Sequence, residues 1–397
     1  MPMFGDGVDD EELRSGWHDF CDRLKDAGDL VFRDTAPSNA VSRATGMRQL
    51  ARNISLALQF ELENKDPEFP ELLHYFDPIR KQGGDNTDAL YLGGPINGRD
   101  TYRIRGARGS AAYFAVTVLE DGNTPWGGQV VGSLIDNQLA VEDDGSFELI
   151  VSPDEHPGNW IQSSPDTYRI TFRQFFADWE TEEPMVATIE REGGEGAPAP
   201  LSAEQLGKGL RGAADWVRYS VGYWAEMLDK WKARPNEFIS YGELESNSID
   251  FTPGGAPLIA YWQLPQDEVM LLRVTPPSAS YWAVEFGSYW WETMDYRYRM
   301  SSLNQHHAAL EEDGSLLVAV SHQDLGFANW LDPSGHDEGY VTFRWIGADD
   351  YPRPVVEQVA ASALPQHVPA NARKVSAAER REQLRARRRG IIKRFGT

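Results

Sequence analysis

Two distant stretches of this chain carry the same pattern, and a chain that repeats itself in this way has to fold one unit twice. SLIDNQLAVEDDGS, from Ser133 to Ser146, aligns without a gap with SLNQHHAALEEDGS, from Ser302 to Ser315. Each leads into an apolar run, Phe147 to Val151 and Leu316 to Val320, and then to an Asn-Trp pair, Asn159-Trp160 and Asn329-Trp330. Each then reaches a Thr-Phe-Arg segment, Thr171 to Arg173 and Thr342 to Arg344, while YFAV at Tyr113 and YWAV at Tyr281 stand in matching places upstream. Shared order and near-constant spacing identify two copies of one domain, each with an acidic Asp-Gly-Ser hairpin turn.

The copies are β-structures. Tyr102 and Ile104 alternate with Arg103 and Arg105, and Ile170 and Phe172 alternate with Arg169, Thr171 and Arg173, the period of strands with one apolar and one polar face. Helices are expected around them. Leu13, Trp17, Phe20 and Leu24, then Met47, Leu50, Ile54 and Leu58, recur at three- and four-residue steps, and Ser202 with Gln205 caps a long amphipathic helix running to Trp231. The fold class is therefore mainly β with flanking helices: two tandem β-sandwich or jelly-roll-like domains. The boundaries are a helical region over 1–82, sandwiches over 83–190 and 236–362, a linker and long helix over 191–235, and a basic tail over 363–397. Strands resume from Phe238.

Composition narrows the function classes. The net charge is −23, yet from Arg373 to Arg394 there are ten Lys or Arg against two Glu, a local balance of +8 that leaves −31 for the rest. Such a body repels nucleic acid and anionic membranes. The tail, with Ser376 and Glu379 in capping-box spacing, is expected to dock as a helix on the acidic body, its own or that of a second copy. The acidic N-terminus and the lack of an apolar run of about 18 residues predict a cytoplasmic chain with no integral membrane contact. One cysteine, Cys21, permits no internal disulfide and no cysteine-ligated metal.

The second copy, with MDYRYRMSSLNQHHAALEEDGS and GFANWLDPSGHDEGYVTFRW, resembles the bacterial family catalogued as domain of unknown function 1214. The first copy, with GGDNTDALYLGGPINGRDTYRIRGARGS, is similar to the segment that precedes that domain in longer members. The resemblance spans roughly Gly83 to Ala361. It implies tandem sandwiches and no established chemistry.

Differences between the copies point to the second. His306 and His307 stand opposite Asn137 and Gln138, His322 stands opposite Pro153, and His336 has no histidine opposite it. The expected site is an aromatic-lined pocket in the second domain or between the two. His306, His322 or His336 there serves as general acid or base, oriented by Asp332 or Asp324, and Arg297 and Arg299 on one strand face form an anion clamp. Trp290, Trp291, Tyr296, Tyr298, Asn329 and Trp330 are the expected ligand contacts. A divalent metal on two or three of these imidazoles with Asp324 or Asp332 is a second use of the same residues, although HxH and HExxH spacings are absent. The first functional expectation is an enzyme on a small organic substrate, of hydrolase, lyase or isomerase type. The alternative is a non-catalytic binding protein for a carbohydrate- or lipid-like ligand.

Overall fold

A computed structural model describes residues 8–122, 124, 126–240 and 252–396. Residues 1–7 of the acidic N-terminus, and residues 241–251 of the strand region expected from Phe238, lie outside the described residues. Two helices come first, α1 (Val8–Asp29) and α2 (Ala40–Leu58). The first repeat contributes β1 (Leu73–His74), β2 (Ala89–Pro95), β3 (Tyr102–Ala107), β4 (Tyr113–Glu120), β5 (Val130–Ile135), β6 (Ser146–Ser152), β7 (Asn159–Gln162), β8 (Thr167–Phe175) and β9 (Val186–Arg191). The long helix α3 (Ala203–Trp231) follows, opened by the reciprocal Ser202–Gln205 capping box. The second repeat contributes β10 (Ile239–Ser240), β11 (Gly255–Gln263), β12 (Glu268–Val274), β13 (Tyr281–Ser288), β14 (Ser302–Asn304), β15 (Leu316–Val320), β16 (Trp330–Leu331), β17 (Glu338–Ile346) and β18 (Val355–Ala360). Helix α4 (Ala377–Phe395) ends the chain.

The repeat holds strand for strand. Sheet order β1-β2-β8-β4-β5 in the first copy is β10-β11-β17-β13-β14 in the second, and β7-β6-β3-β9 is β16-β15-β12-β18. Each copy is a sandwich of a five-stranded and a four-stranded sheet. Leu90, Val116 and Phe172 meet Ile104, Leu149 and Ile189 in the first core, as Ala260, Val284 and Phe343 meet Leu272, Val318 and Val359 in the second.

The acidic turn differs from the hairpin expected of it. It closes locally, Glu142 N to Ser146 O at 2.9 Å and Glu311 N to Ser315 O at 2.8 Å. It follows a crossing between sheets, however, because β5 pairs with β4 while β6 pairs with β3 and β7.

The second faces of the two five-stranded sheets do not meet solvent. Ala89, Tyr91, Tyr113 and Phe175 from the first, and Tyr281, Ala283 and Ile346 from the second, share one cluster with Phe20, Leu50, Leu210 and Val217 of α1–α3. Farther along α3, Trp224, Leu228 and Trp231 pack on Ile259, Tyr261 and Tyr340. The molecule is thus two sandwiches turned toward a common layer that the helices complete. No helix of the described residues is long and apolar enough to cross a membrane.

Helix α4 binds this arrangement together on the chain's own body. Arg380, Arg387 and Arg394, seven residues apart, are buried along one face. Arg380 pairs with Asp324 (2.9 Å), and Arg387 donates to Ser302 O (3.1 Å) and Oγ (2.8 Å), all in the second copy. Arg394 donates to Thr87 O (2.9 Å) and Ala89 O (3.2 Å), and its guanidinium lies 4.5 Å from the Trp179 ring, all in the first. Gly390 permits the close approach, since a Cβ there would stand 2.5 Å from Trp179 Cβ.

Arg394→Ala is therefore expected to lower unfolding stability by about 2–4 kcal/mol in a urea melt, from lost carbonyl contacts and stacking in a buried setting. Arg385→Ala, on the exposed face, should leave the melt unchanged; equal effects would contradict the strap.

Candidate functional site

Strand alternation sends Ile170 and Phe172 of β8 into the first sandwich core and turns Arg169, Thr171 and Arg173 toward the shared layer. Above them lies a cavity of about 540 Å3. Its floor adds Tyr91 from β2, and its roof is Trp216 and Trp224, eight residues apart on one face of α3. Phe60, Glu61, Asn64 and Lys65 come from the end of α2, where the helix widens into a π turn over Gln59–Glu63. Gly83, Gly84 and Asp85 form one end, joined by Arg344 from β17 of the other copy. Both glycines are left-handed, at φ 65° and 69°, and a Cβ would stand 2.9 Å from Trp224 on Gly83 and 3.1 Å from Trp291 on Gly84. Both the left-handed backbone and the tight space favour glycine there.

The Asp85 end is the deep one: Asp85 is buried and the Arg344 side chain is 12% exposed, whereas the Lys65 side chain is half exposed and pairs with Glu61. Arg344 donates to Glu285 Oε1 (2.5 Å) and to Gly84 O (2.7 Å), and Glu285 Oε2 accepts from Thr87 N (3.0 Å). Burial pushes Glu285 up to about 7, and the Arg344 charge opposes the shift. Asp85 accepts from Thr293 N (3.1 Å) and Oγ1 (2.6 Å); burial raises its pKa, and Lys81 nearby restrains the rise. Lys81 is itself buried and drawn down to about 8. Its Nζ donates to Thr293 O (3.0 Å) and Met294 O (2.7 Å). Arg173 donates to Thr117 Oγ1 (3.1 Å), and Arg169 lies 4.1 Å from the Phe60 ring centre.

The same place in the second copy is filled. Tyr340 stands where the first copy has Arg169, and its ring lies 4.5 Å from Trp291. Trp291 in turn stacks on Trp224 (5.4 Å) and Trp231 (4.7 Å). One copy keeps a cavity over its sheet, and the other is packed with indoles.

Of the residues expected to form a site, Arg299 and Asp332 meet at 2.7 Å and the Arg299 charge reaches His336, but the set does not gather around this cavity and none of its members lines it. His306 is exposed, 3.9 Å from Asp178, while His322 Nε2 stands 3.2 Å from Leu264 O. His336 is buried 3.4 Å from Thr45 Oγ1 of α2. His306 and His307 sit in a turn after β14 rather than on a strand, and Asn304 Oδ1 takes both backbone N–H groups (3.0 and 3.1 Å). Burial draws the His307 pKa down to about 3. Asp324 serves Arg380, and Asp332 serves Arg299 (2.7 Å). Tyr296–Arg299 also form a turn, so the arginines share no strand face; Arg297 is held by two 2.9 Å bonds to Asp295. Tyr296 is buried against Lys81 and Tyr298 is exposed. Among the described residues no group of three or more His, Cys, Asp or Glu is placed to hold a metal ion.

Four of the expected ligand contacts do structural work. Asn329 accepts from Ala309 N (2.8 Å) and donates to Leu317 O (3.0 Å), as Asn159 does with Ala140 N (2.7 Å) and Glu148 O (2.8 Å). Trp330 Nε1 reaches Ser321 Oγ at 3.0 Å, matching Trp160 and Ser152 at 3.0 Å. Trp290 and Trp291 follow the end of β13, with Trp291 left-handed at φ 59°. Trp290 Nε1 donates to Ser42 O of α2 (2.7 Å), and Trp291 packs on α3. Sequence reasoning missed Arg169, Arg173 and Arg344 because a polar strand face normally meets water. The signal was the Thr-Phe-Arg repeat itself, which keeps an arginine at the same place on both sheets.

A profile of the family described as protein of unknown function (DUF1214) matches residues 87–178 and 268–350. The crystal structure of an uncharacterised protein from Burkholderia cenocepacia is similar at 33% identity, with a TM-score of 0.85 over 89% of this chain and 99% of that one. The VPA0106 protein from Vibrio parahaemolyticus shares 12% identity, with a TM-score of 0.47 over 85% of this chain and 100% of that one. No curated protein matches the chain.

Burial draws His336 down to about 4, so the folded protein keeps it neutral. A depressed pKa gives stability that is present above the unfolded value near 6.5 and lost as pH falls toward 4. Between pH 7.5 and 5 this costs about 2 kcal/mol. His336→Asn should remove that part of the acid sensitivity in urea melts at the two pH values, and an unchanged pH dependence would contradict it.

Proposed function

This chain belongs to the DUF1214 family of proteins of unknown function, and within it we propose an enzyme whose small organic substrate occupies the cavity of the first sandwich. The observation that carries this reading is the deep end of the cavity, where Asp85 of one copy and Arg344 of the other line the same space. A cavity of about 540 Å3 suits a molecule of drug-like size, and aromatic walls with a few convergent polar groups are the usual lining of such sites. Keeping an ionisable carboxyl out of water is costly, and a passive apolar pocket has no use for one.

The groups divide the work by their chemistry. Asp85, raised by burial and oriented by both Thr293 contacts, keeps a lone pair on each oxygen for a substrate proton. Arg344 and Arg173 polarise a substrate oxygen, and Trp216 and Trp224 exclude water. Acid–base work thus falls to a carboxyl group rather than to a histidine. The non-catalytic alternative, a carbohydrate- or lipid-like ligand, uses the same tryptophan walls and leaves Asp85 without a role.

The test is to incubate the full chain with a metabolite extract and follow every mass over time. Wild type should consume one compound and accumulate another, Asp85→Asn should still retain the compound in native mass spectrometry while converting it at least about 100-fold more slowly, and the cavity-filling Thr171→Phe should lose both. Retention without conversion by wild type, or conversion by Asp85→Asn at the wild-type rate, would overturn the enzyme reading.

A further inference from the structure

Resting on that reading of the cavity, we propose that its ligand is a small organic anion with a flat apolar body, its charged head on Arg344, and that Glu285 behind Arg344 takes up a proton as the anion binds. Three guanidinium groups, Arg169, Arg173 and Arg344, line the space. Of the carboxylates that also line it, Glu61 is occupied by Lys65, Asp85 is held by the Thr293 N–H and hydroxyl with the Lys81 charge nearby, and Asp121 is exposed toward the solvent end. The walls include Trp216, Trp224, Trp126, Phe60 and Tyr91, an aromatic lining suited to a flat apolar body, with Trp224 itself braced by stacking on Trp126 (5.2 Å) and Trp291 (5.4 Å).

Glu285 is the counter-ion that such a ligand would compete with. It is fully buried on β13, in contact with Arg344 and the Thr87 N–H. The other groups acting on it are Tyr340 of β17, Tyr281 of its own strand, and Asp85 of the loop before β2. Arg344 is the cation in contact with it. An anion arriving on Arg344 adds a second negative charge beside Glu285, and two buried like charges cannot both remain ionised cheaply. With Glu285 pushed up to about 7, its carboxyl is mostly protonated at pH 6 and mostly ionised at pH 8. Anion affinity should therefore fall as pH rises, by about tenfold between pH 6 and 8.

The copies explain why this happens once per chain. Glu285 pairs across the sheet with Thr342, and Thr117 pairs with Thr171, so Thr117 holds the matching place in the first copy. Only the second copy brings a carboxylate to its arginine from that position, and that arginine is the one contributed to the other copy's cavity.

The probes are 8-anilino-1-naphthalenesulfonate, ionised across the whole pH range, and its neutral parent N-phenyl-1-naphthylamine. Each is titrated by fluorescence against the full chain, Thr171→Phe and Glu285→Gln. The expected result is one sulfonate dye per chain, at least tenfold tighter than the neutral dye at pH 6, weakening about tenfold by pH 8. Glu285→Gln should flatten that profile. Calorimetry of wild type in two buffers of different ionisation enthalpy should show proton uptake near neutral pH, which keeps the test independent of whether the variant folds. Equal affinity for the neutral dye would overturn the anion while leaving the cavity, and a flat wild-type profile without proton uptake would overturn the role of Glu285. Failure of both dyes to bind, or binding unchanged in Thr171→Phe, would overturn the cavity reading with it.

Discussion

The structure depends on hiding two polar sheet faces from water. Each sandwich has an apolar core of its own, but the second face of each five-stranded sheet carries arginine, threonine and tyrosine, joined on the second sheet by Glu285, and these are largely buried when the copies converge. The convergence is tolerable because the charges are matched in place. Arg344 of one copy is held by Glu285 and by the Gly84 carbonyl ahead of the other, and Thr87 N–H closes the remaining carboxylate oxygen. The bonds from Arg344 to Gly84 O and from Thr87 N–H to Glu285 run from one copy to the other, so this layer ties the two sandwiches together.

The other elements follow from that layer. Helix α3 crosses both sheets and supplies indoles to each, closing the second sheet with a Trp224–Trp291–Trp231 stack and roofing the first with Trp216 and Trp224. Helix α4 reaches across from the far end of the chain, where its arginines find backbone carbonyls of both copies. The basic tail of an acidic protein thereby becomes an internal strap, and the marked charge asymmetry of the sequence has a structural cause. The two copies use this face differently: Tyr340 and the tryptophans pack the second, and the first holds an arginine-lined cavity.

Much of this was legible in the residues. The gapless repeat gave the strand-for-strand duplication, and capping boxes at Ser202 and Ser376 placed α3 and α4. The candidate site was far less legible, for a definite reason. Histidines present in only one copy look like specialisation, yet His306, His322 and His336 serve separate local contacts, because sequence shows what differs between copies and not which face it occupies. Asn329 and Trp330 repeat their twins' bonds and so mark the shared fold. The cavity residues were hidden in features read as ordinary: arginines on a polar strand face, and a Gly-Gly-Asp turn. What turned them inward is the packing of one domain on another, which leaves no periodic trace in either.

The most direct test of the account is a crystal structure of the full chain with 8-anilino-1-naphthalenesulfonate bound. One dye per chain is expected, its rings between Tyr91 and the α3 tryptophans and its sulfonate within hydrogen-bond reach of Arg344, with nothing on the tryptophan-packed face of the second copy. A dye seated beside His306, His322 or His336, with the first-sandwich cavity holding water alone, would contradict it.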